Sequence, residues 1–213
     1  MSVIEIKSHP IIHIIVRDFL DAPSRQKLIE SLLPIRENYL ERVIYTDPNG
    51  VVRKSTEDTN MFKTGAWLFA LLNEKPELSR DCVEILENNM WLNDLRQAYE
   101  DTNDLLFRTY SYSNESAILF SSYETGEWMT WHTDERNTCT ASYIFTFEDR
   151  QLLAGGDFLL SDLITSDDPP SEKVVTYPHE GNFLIVFPAK ALHKITKVKG
   201  YRYSLNYFAD YRE

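Results

Sequence analysis

The sequence predicts a mainly β fold with flanking helices, built as a barrel or jelly roll. The chain has 213 residues, of which 43% are hydrophobic, and an all-β barrel of about 200 to 250 residues is commonly a single domain. Its Trp, Phe and Tyr residues lie mainly after residue 60, in short aromatic and β-branched runs between turn-like residues, as in sheet proteins. Closely spaced short strands favour a barrel over βαβ units.

We expect one domain over residues 1–213, with an N-terminal strand and helix region over about 1–104 and a jelly-roll core over about 105–210. In the core, apolar runs alternate with loops too short to hold a crossover helix. The predicted core strands cover residues 105–112, 116–123, 127–132, 140–147, 157–160, 174–176, 182–187, 191–198 and 201–207.

The N-terminal region is expected to open with a strand followed by a helix. The apolar run 11–16 predicts the strand. The helix is expected to begin around Pro23, which follows Asp21 at a position typical of the first helical turn. Pro34 is expected to end the helix, because proline in a helix interior removes a backbone hydrogen bond.

A second helix is predicted over residues 80–99, with Ser79 as its N-cap, because apolar residues recur there at helical spacing. Between the two helices, short apolar runs flank a turn-forming sequence at residues 47–50, which predicts a β-hairpin. We expect the segment 41–60 to form a mobile hairpin that closes over the site as a lid.

The charge balance disfavours nucleic acid as a partner. The chain has 33 acidic and 22 basic residues and a formal net charge of −11, so a phosphate backbone would be repelled over most of the surface. The apolar runs are far shorter than the ~20 residues that span a bilayer, and the N-terminal residues do not resemble a secretory signal. We therefore expect neither a nucleic-acid partner nor a membrane.

The two cysteines, Cys82 and Cys139, form no metal-binding spacing and no disulfide-rich framework. This usage suits a reducing compartment, so a cytoplasmic location is expected. The sequence leaves open a single bridge between them, and it says nothing about the oligomeric state.

The sequence His132-Thr133-Asp134 is the most informative pattern in the chain. In a strand, residues i and i+2 point to the same face, so His132 and Asp134 can offer an imidazole nitrogen and a carboxylate oxygen to one ion. This pair alone is common by chance, but His193, in a later predicted strand, supplies a third ligand if the sheet brings it opposite. Two histidines and one carboxylate leave coordination positions open, as in the non-haem Fe(II) oxygenases.

A candidate anion-binding group follows His193 in the next predicted strand. Alternation places Arg202, Ser204 and Asn206 on one face of that strand, and either face could be the inner one. Taken alone, Arg202 also fits a structural ion pair. If its face lines the barrel, the guanidinium beside a hydroxyl suits a carboxylate, because arginine can donate two parallel hydrogen bonds. A dicarboxylate that chelates iron at one end and meets Arg202 at the other would be 2-oxoglutarate.

Other polar residues are open to plainer interpretations. Tyr123 lies on an apolar strand and fits core packing as well as binding. His179 is expected in an exposed turn, because it lies between Pro178 and Glu180-Gly181. Gly155 and Gly156 are expected at a turn or bulge of a barrel strand, since no lysine-bearing helix follows them to make a phosphate loop.

In these residues the chain resembles the 2-oxoglutarate- and Fe(II)-dependent dioxygenases, and within them the prolyl 4-hydroxylase-like branch. The resemblance covers about residues 123–208, and the order and spacing of its motifs are specific. The motifs are Tyr123-Glu124-Thr125-Gly126, His132-Thr133-Asp134, Gly155-Gly156-Asp157, Phe187-Pro188, His193 and Gly200-Tyr201-Arg202-Tyr203-Ser204.

The resemblance implies a double-stranded β-helix, a jelly roll of the cupin type, with three iron ligands, His132, Asp134 and His193. It implies that Arg202, assisted by Ser204, binds the distal carboxylate of 2-oxoglutarate, and that Tyr123 reaches the same co-substrate. The implied reaction consumes O₂, converts 2-oxoglutarate to succinate and CO₂, and hydroxylates a C–H bond of the substrate. Ascorbate is a candidate reductant of the iron, as in many relatives.

The substrate implied by this branch is a prolyl residue in a protein or peptide. Animal collagen prolyl 4-hydroxylases carry lysine where Arg202 stands, so this chain is closer to the arginine-bearing relatives. The branch often ends its last strand with tryptophan, where this chain has Tyr207 and Phe208. Relatives that demethylate nucleic acids place a second arginine at the position of Phe208, which argues against that activity here.

Two alternative functions stay open from the sequence. One is hydroxylation of a free amino acid or another small molecule. A sealed cavity beside the metal would favour this alternative, whereas an open channel would favour a peptide. The other is a non-catalytic barrel that binds a structural metal such as Zn²⁺ and serves as an interaction module. Asp134 and Arg202 together argue against the second, because a structural site does not need an anchor for a dicarboxylate.

Overall fold

The computed structural model describes residues 2–46, 51–90, 93–110, 115–134, 139–162 and 169–210. Within these ranges the α-helices are α1 (Ala22–Asn38), α2 (Leu68–Glu74), α3 (Pro76–Met90), α4 (Asn93–Asp101) and α5 (Leu105–Tyr110). In chain order the strands are β1 (Val3–Lys7), β2 (His13–Arg17), β3 (Glu41–Arg42), β4 (Ile44–Thr46), β5 (Val52–Lys54), β6 (Met61–Phe62), β7 (Thr64–Trp67), β8 (Glu115–Tyr123), β9 (Trp128–His132), β10 (Cys139–Phe145), β11 (Leu152–Ala154), β12 (Phe158–Ser161), β13 (Val174–Tyr177), β14 (Phe183–Pro188), β15 (His193–Ile195), β16 (Lys199–Gly200) and β17 (Arg202–Asp210).

Two large antiparallel sheets form a jelly roll, as predicted. The eight-stranded major sheet has the order β1-β2-β14-β10-β17-β8-β7-β3, and the five-stranded minor sheet has the order β13-β12-β15-β9-β6. Strands from the N-terminal part of the chain join both sheets. None of the helices in the described ranges combines the length and the apolar character needed to cross a bilayer.

The central strands of the major sheet are buried on both faces. In β14, Phe183, Ile185 and Phe187 join the apolar cluster between the two sheets, whereas Leu184 and Val186 join the cluster that packs against the helices. Successive side chains of a strand point to opposite faces, so a strand covered on both sides is a continuous apolar run. The helices therefore cover the outer face of the major sheet, and the space between the sheets is left for a site.

The predicted strands after residue 115 are confirmed, with shifts of a few residues at their ends. The largest difference is β15, which covers only His193–Ile195 instead of residues 191–198. The predicted hairpin is also confirmed, since β4 pairs antiparallel with β5, although its turn at residues 47–50 lies outside the described part of the chain. The two cysteines are buried, free thiols.

The predicted strand at residues 105–112 is wrong, because the described part of this segment is the helix α5. The Asp104 carboxylate accepts a hydrogen bond from the Leu106 N–H at 2.8 Å, which satisfies a donor of the first helical turn. Phe107 is fully buried, whereas Leu105 is exposed. The burial of Phe107 holds this short helix on the sheet. This packing outweighs the preference for a strand that the aromatic composition of the segment indicates.

The two predicted helices differ from those observed at their ends. Helix α1 continues past Pro34 to Asn38, because the buried side chains of Ile35 and Arg36 extend its inner face by another turn. The second helix begins at Pro76 instead of after Ser79, consistent with the preference of proline for a first helical position. It is also two helices, α3 and α4, and the residues between them lie outside those described.

Candidate metal centre

Pairing of two strands of the minor sheet brings the two predicted histidine ligands together. His132 is the last residue of β9 and His193 the first of β15, and they face each other directly in the antiparallel register. Their ring centroids are 3.9 Å apart. Asp134 lies just beyond the end of β9, where its backbone N–H donates to the carbonyl of Ala189 at 2.7 Å. That bond fixes the turn that aims the carboxylate at the histidines.

The three side chains present their ligand atoms to one point. His132 Nε2 lies 3.9 Å from Asp134 Oδ1, and His193 Nε2 lies 3.5 Å from Asp134 Oδ2. All three ligand atoms lie within 4.8 Å of one another. The structure thus brings together the three residues that the sequence predicts as metal ligands.

Hydrogen bonds to the backbone fix the orientation of both imidazoles. His132 Nδ1 lies 2.9 Å from the carbonyl of Thr130, and His193 Nδ1 lies 3.0 Å from the carbonyl of Ala191. A carbonyl oxygen can only accept, so each Nδ1 carries the proton and each Nε2 lone pair is free to bind a metal. The two rings thus share one arrangement, in which each histidine is tied to the residue two positions before it.

Burial keeps the histidines neutral. It is the main cause that lowers the pKa of His132 well below its usual range, and the neighbouring His193 adds to this effect. Burial also lowers the pKa of His193, partly offset by the Asp134 carboxylate. Neutral imidazole is the form that binds a metal, so little proton competition is expected near neutral pH.

Thr140 positions the carboxylate ligand. This residue lies on β10 in the major sheet, and its hydroxyl donates to Asp134 Oδ2 at 2.7 Å. The bond joins the metal-binding loop to the opposite sheet. The other oxygen, Asp134 Oδ1, lies on the side of His132.

Arg202 lies on the inner face of β17, in the same cavity as the three ligands. It is 1% exposed, its Nε donates to the carbonyl of Gly156 at 2.8 Å, and its Nη1 donates to Ser204 Oγ at 3.2 Å. Its Nη2 is buried and has no hydrogen-bond partner among the described residues. Burial lowers the pKa of Arg202 to about 10, which leaves the side chain cationic at neutral pH. A buried guanidinium with an unsatisfied donor is suited to an incoming carboxylate.

Gly156 makes room for this arginine. It has a backbone φ of +70°, and a Cβ at this position would lie 3.1 Å from Arg202 Cδ. The predicted turn at Gly155-Gly156 therefore has a second role, because its backbone carbonyl orients the guanidinium from close range.

Tyr123 lines the same cavity, between the cationic side chains of Arg202 and Lys63. Its ring centroid lies 5.4 Å from the Arg202 guanidinium carbon and 5.4 Å from the Lys63 nitrogen. Its hydroxyl makes only a long contact, 3.5 Å to the sulfur of Met129. Burial raises the pKa of Tyr123, so the hydroxyl keeps its proton and can act as a donor.

Lys63 also lines this cavity, and sequence reasoning did not select it. It lies between β6 and β7, where the chain passes from the minor to the major sheet. Burial lowers its pKa to about 8, partly offset by the charge of Asp134. No predicted strand covered this segment, so nothing in the sequence indicated that its side chain points inward.

His179 departs from its expected exposed turn. The residue is half-buried, its Nε2 is buried without a hydrogen-bond partner in the described part of the chain, and burial lowers its pKa to about 4. It is not one of the three clustered ligands.

The cavity itself lies between the two sheets and, with the solvent at its mouth, has about 390 Å³ of space. The triad and Arg202 lie at its two ends, because Thr140, which contacts Asp134, pairs with Phe208, six residues beyond Arg202 along β17. The His132 and Asp134 side chains keep 22% and 14% of their exposure, so the cavity opens at the metal end and is closed at the Arg202 end.

Comparison by sequence finds no matching family model and no matching curated protein. Comparison by structure finds prolyl hydroxylases. The chain matches a prolyl hydroxylase of Trichoplax adhaerens, solved in complex with a peptide fragment of the hypoxia inducible factor oxygen degradation domain, with a TM-score of 0.63 and 13% identity over 93% of this chain and 83% of that one. It matches a Pseudomonas putida prolyl-4-hydroxylase with a TM-score of 0.61 and 15% identity over 97% and 95% of the two chains.

This chain has the fold of the prolyl 4-hydroxylases. A prolyl 4-hydroxylase of Phytophthora capsici shares the fold at a TM-score of 0.53 and 16% identity, over 93% of this chain but only 58% of that one. At these identities the likeness concerns the fold, and the chemistry has to be argued from the residues of the site.

We expect Thr140→Val to weaken metal binding roughly tenfold, because it removes a hydrogen bond that orients a ligand while keeping the side-chain shape. Calorimetric titration with Mn(II), which does not oxidise readily, measures the affinity. Thr176→Val, at an exposed position of β13, is the matched control and should bind like the unmodified chain. Equal affinity in the two variants would show that Thr140 does not position Asp134.

Proposed function

We propose that this chain is an Fe(II)- and 2-oxoglutarate-dependent dioxygenase that hydroxylates a prolyl residue in a protein or peptide. One observation carries the proposal: a two-histidine, one-carboxylate cluster and a buried arginine with an unsatisfied donor lie at opposite ends of one cavity. A structural metal site would account for the cluster but leave the buried Arg202 unexplained.

The donor set fits iron. Two neutral imidazoles and one carboxylate are the ligands of non-haem Fe(II) oxygenases, which need open coordination positions. Structural zinc sites, in contrast, are closed by four protein ligands. In the described part of the chain only three candidate ligands come together.

The cavity also fits 2-oxoglutarate. Its keto-acid end would meet the metal held by His132, Asp134 and His193, and its distal carboxylate would accept hydrogen bonds from Arg202. Ser204 and Tyr123 lie beside that arginine, where the Ser204 hydroxyl already accepts from Nη1. The iron, with 2-oxoglutarate and O₂, supplies the oxidation of the C–H bond. The protein residues hold the co-substrate and exclude water from its buried end.

A peptide substrate is supported by the surroundings of the metal end. The Trichoplax adhaerens enzyme of the same fold was solved with a peptide fragment. Here the strand that carries His132 is flanked by β6, which follows the β4–β5 hairpin along the chain. That hairpin exposes the apolar side chains of Ile44 and Val52. An exposed apolar hairpin that leads into β6, the neighbour of β9, is suited to cover an extended peptide, so we assign the segment 41–60 this role.

His132→Ala, Asp134→Ala and His193→Ala are each expected to abolish the conversion of 2-oxoglutarate to succinate, because each removes one of only three protein ligands. Succinate is measured with Fe(II), O₂ and ascorbate, with and without peptide. Far-ultraviolet circular dichroism shows whether each variant is folded. Turnover that persists in the folded variants would contradict the assignment of the metal site.

Arg202→Ala is expected to raise the concentration of 2-oxoglutarate required for half-maximal turnover by roughly a hundredfold, since it removes a charge-assisted pair of hydrogen bonds. Arg202→Lys keeps the charge but not the planar guanidinium, so its 2-oxoglutarate requirement should lie between those of the unmodified chain and Arg202→Ala. If both variants require the same 2-oxoglutarate concentration as the unmodified chain, Arg202 does not bind the carboxylate.

Proline-containing peptides are expected to accelerate succinate formation and to gain one oxygen atom, detected by mass spectrometry. The matched control for each peptide has alanine in place of the proline, and free L-proline is tested beside it. Oxygen insertion into the free amino acid but not into any peptide would favour the small-molecule alternative over the proposed substrate.

A further inference from the structure

Lys63 is a second buried cation of the cavity, and the roles proposed above do not use it. Only 3% of the residue is exposed, a depth close to that of Arg202. Lysine is almost never buried to this extent unless its charge is paired. Its position at the crossing from the minor to the major sheet places the ammonium between the two sheets.

The ammonium of Lys63 has no ion-pair partner in the described part of the chain. Its one hydrogen bond there runs to Ser121 Oγ, 3.2 Å away, although an ammonium has three N–H donors. The Asp134 carboxylate, which also lines the cavity, is directed at the two histidines instead. A buried charge in this condition is unfavourable for folding, so a binding role is the simplest reason for its presence.

A row of polar side chains links Lys63 to Arg202. Ser121 Oγ accepts from Asn206 Nδ2 at 3.0 Å as well as from Lys63. The same Asn206 nitrogen lies 3.5 Å from Ser204 Oγ, which accepts from Arg202 Nη1 at 3.2 Å. The row follows the inner face of the neighbouring strands β8 and β17, so both cations face one ligand space.

Lys63 lies between the metal end and the Arg202 end of the cavity. Its partner Ser121 pairs with Ser204, two residues beyond Arg202 along β17. Thr140, the partner of Asp134, pairs with Phe208, four residues further along the same strand. A primary substrate enters at the open metal end and would not reach this depth once a diacid lies between the metal and Arg202. The anion that Lys63 meets is therefore the co-substrate itself.

We propose that Lys63 is a second cationic binding residue for 2-oxoglutarate, which donates to the diacid between the metal and Arg202. This inference rests on the proposed function and adds a residue to its co-substrate site. The site then has two cations for the two negative charges of the ligand, one from the segment between β6 and β7 and one from β17.

The test is the dissociation constant of 2-oxoglutarate, measured by calorimetry on the Mn(II)-loaded chain so that no turnover is needed. Lys63→Met keeps the length of the side chain and removes its charge. We expect it to weaken binding between roughly ten- and a hundredfold, the range for loss of a hydrogen bond to a charged group. Lys190→Met makes the same change at an exposed position and should bind like the unmodified chain.

Denaturant unfolding without 2-oxoglutarate separates binding from a structural role. A lone buried charge destabilises the fold, so Lys63→Met should unfold at the same denaturant concentration as the unmodified chain or at a higher one. A structural role for Lys63 would give lower stability and unchanged affinity. If Lys63→Met does not fold, Ser121→Ala removes the acceptor that orients the ammonium, together with the acceptor of Asn206 Nδ2. It should still weaken binding about threefold.

The outcomes distinguish the two proposals. Tight binding to the unmodified chain and equal binding to Lys63→Met, or to Ser121→Ala if only that variant folds, would overturn the role of Lys63 and leave the proposed function standing. Absence of 2-oxoglutarate binding to the Mn(II)-loaded unmodified chain would contradict the proposed function and this inference together.

Discussion

The direct pairing of His132 with His193 across β9 and β15 is the contact on which the rest of the site depends. It fixes the distance between the two proposed metal ligands through the backbone hydrogen bonds of a sheet, which hold residues more rigidly than a loop does. Asp134 needs only one further backbone bond, to Ala189, to complete the cluster. In the minor sheet β15 pairs with β9 on one side and β12 on the other. A shift of one residue in the register of β15 would turn His193 to the opposite face of the sheet, because successive side chains of a strand alternate between faces.

The major sheet supplies the polar and charged side chains at the other end of the cavity. Several residues of β8 and β17 that face inward are small or polar, such as Ser121, Ser204 and Asn206, whereas their outward neighbours Phe120, Tyr203 and Leu205 belong to the apolar cluster under the helices. The helical layer provides most of the burial on that face. The inner face can therefore hold two buried cations, which are unfavourable for the empty fold but favourable for binding a diacid.

Much of the chemistry could be predicted from the sequence because it needs few residue types at fixed spacing. The His-x-Asp pattern, the later His193 and the alternation around Arg202 each follow from the geometry of a strand. The sequence was less informative where packing overrides local preference. Phe107 holds a helix in an aromatic segment, and α1 passes through Pro34 because its next turn is buried. Lys63 was missed because β6 and β7 are too short to show a period, so its inward direction is set only by their pairing with β9 and β8.

The most direct test of the central claim is an anaerobic titration of the Fe(II)-loaded chain with 2-oxoglutarate, followed by visible absorption. Chelation of iron by the keto-acid end produces a charge-transfer band that needs neither O₂ nor a primary substrate. The band should appear, saturate at one equivalent of 2-oxoglutarate per chain, and remain absent when succinate, which has no keto group, is added instead. If iron binds but no saturable band develops with 2-oxoglutarate, the triad and Arg202 do not form the site described here.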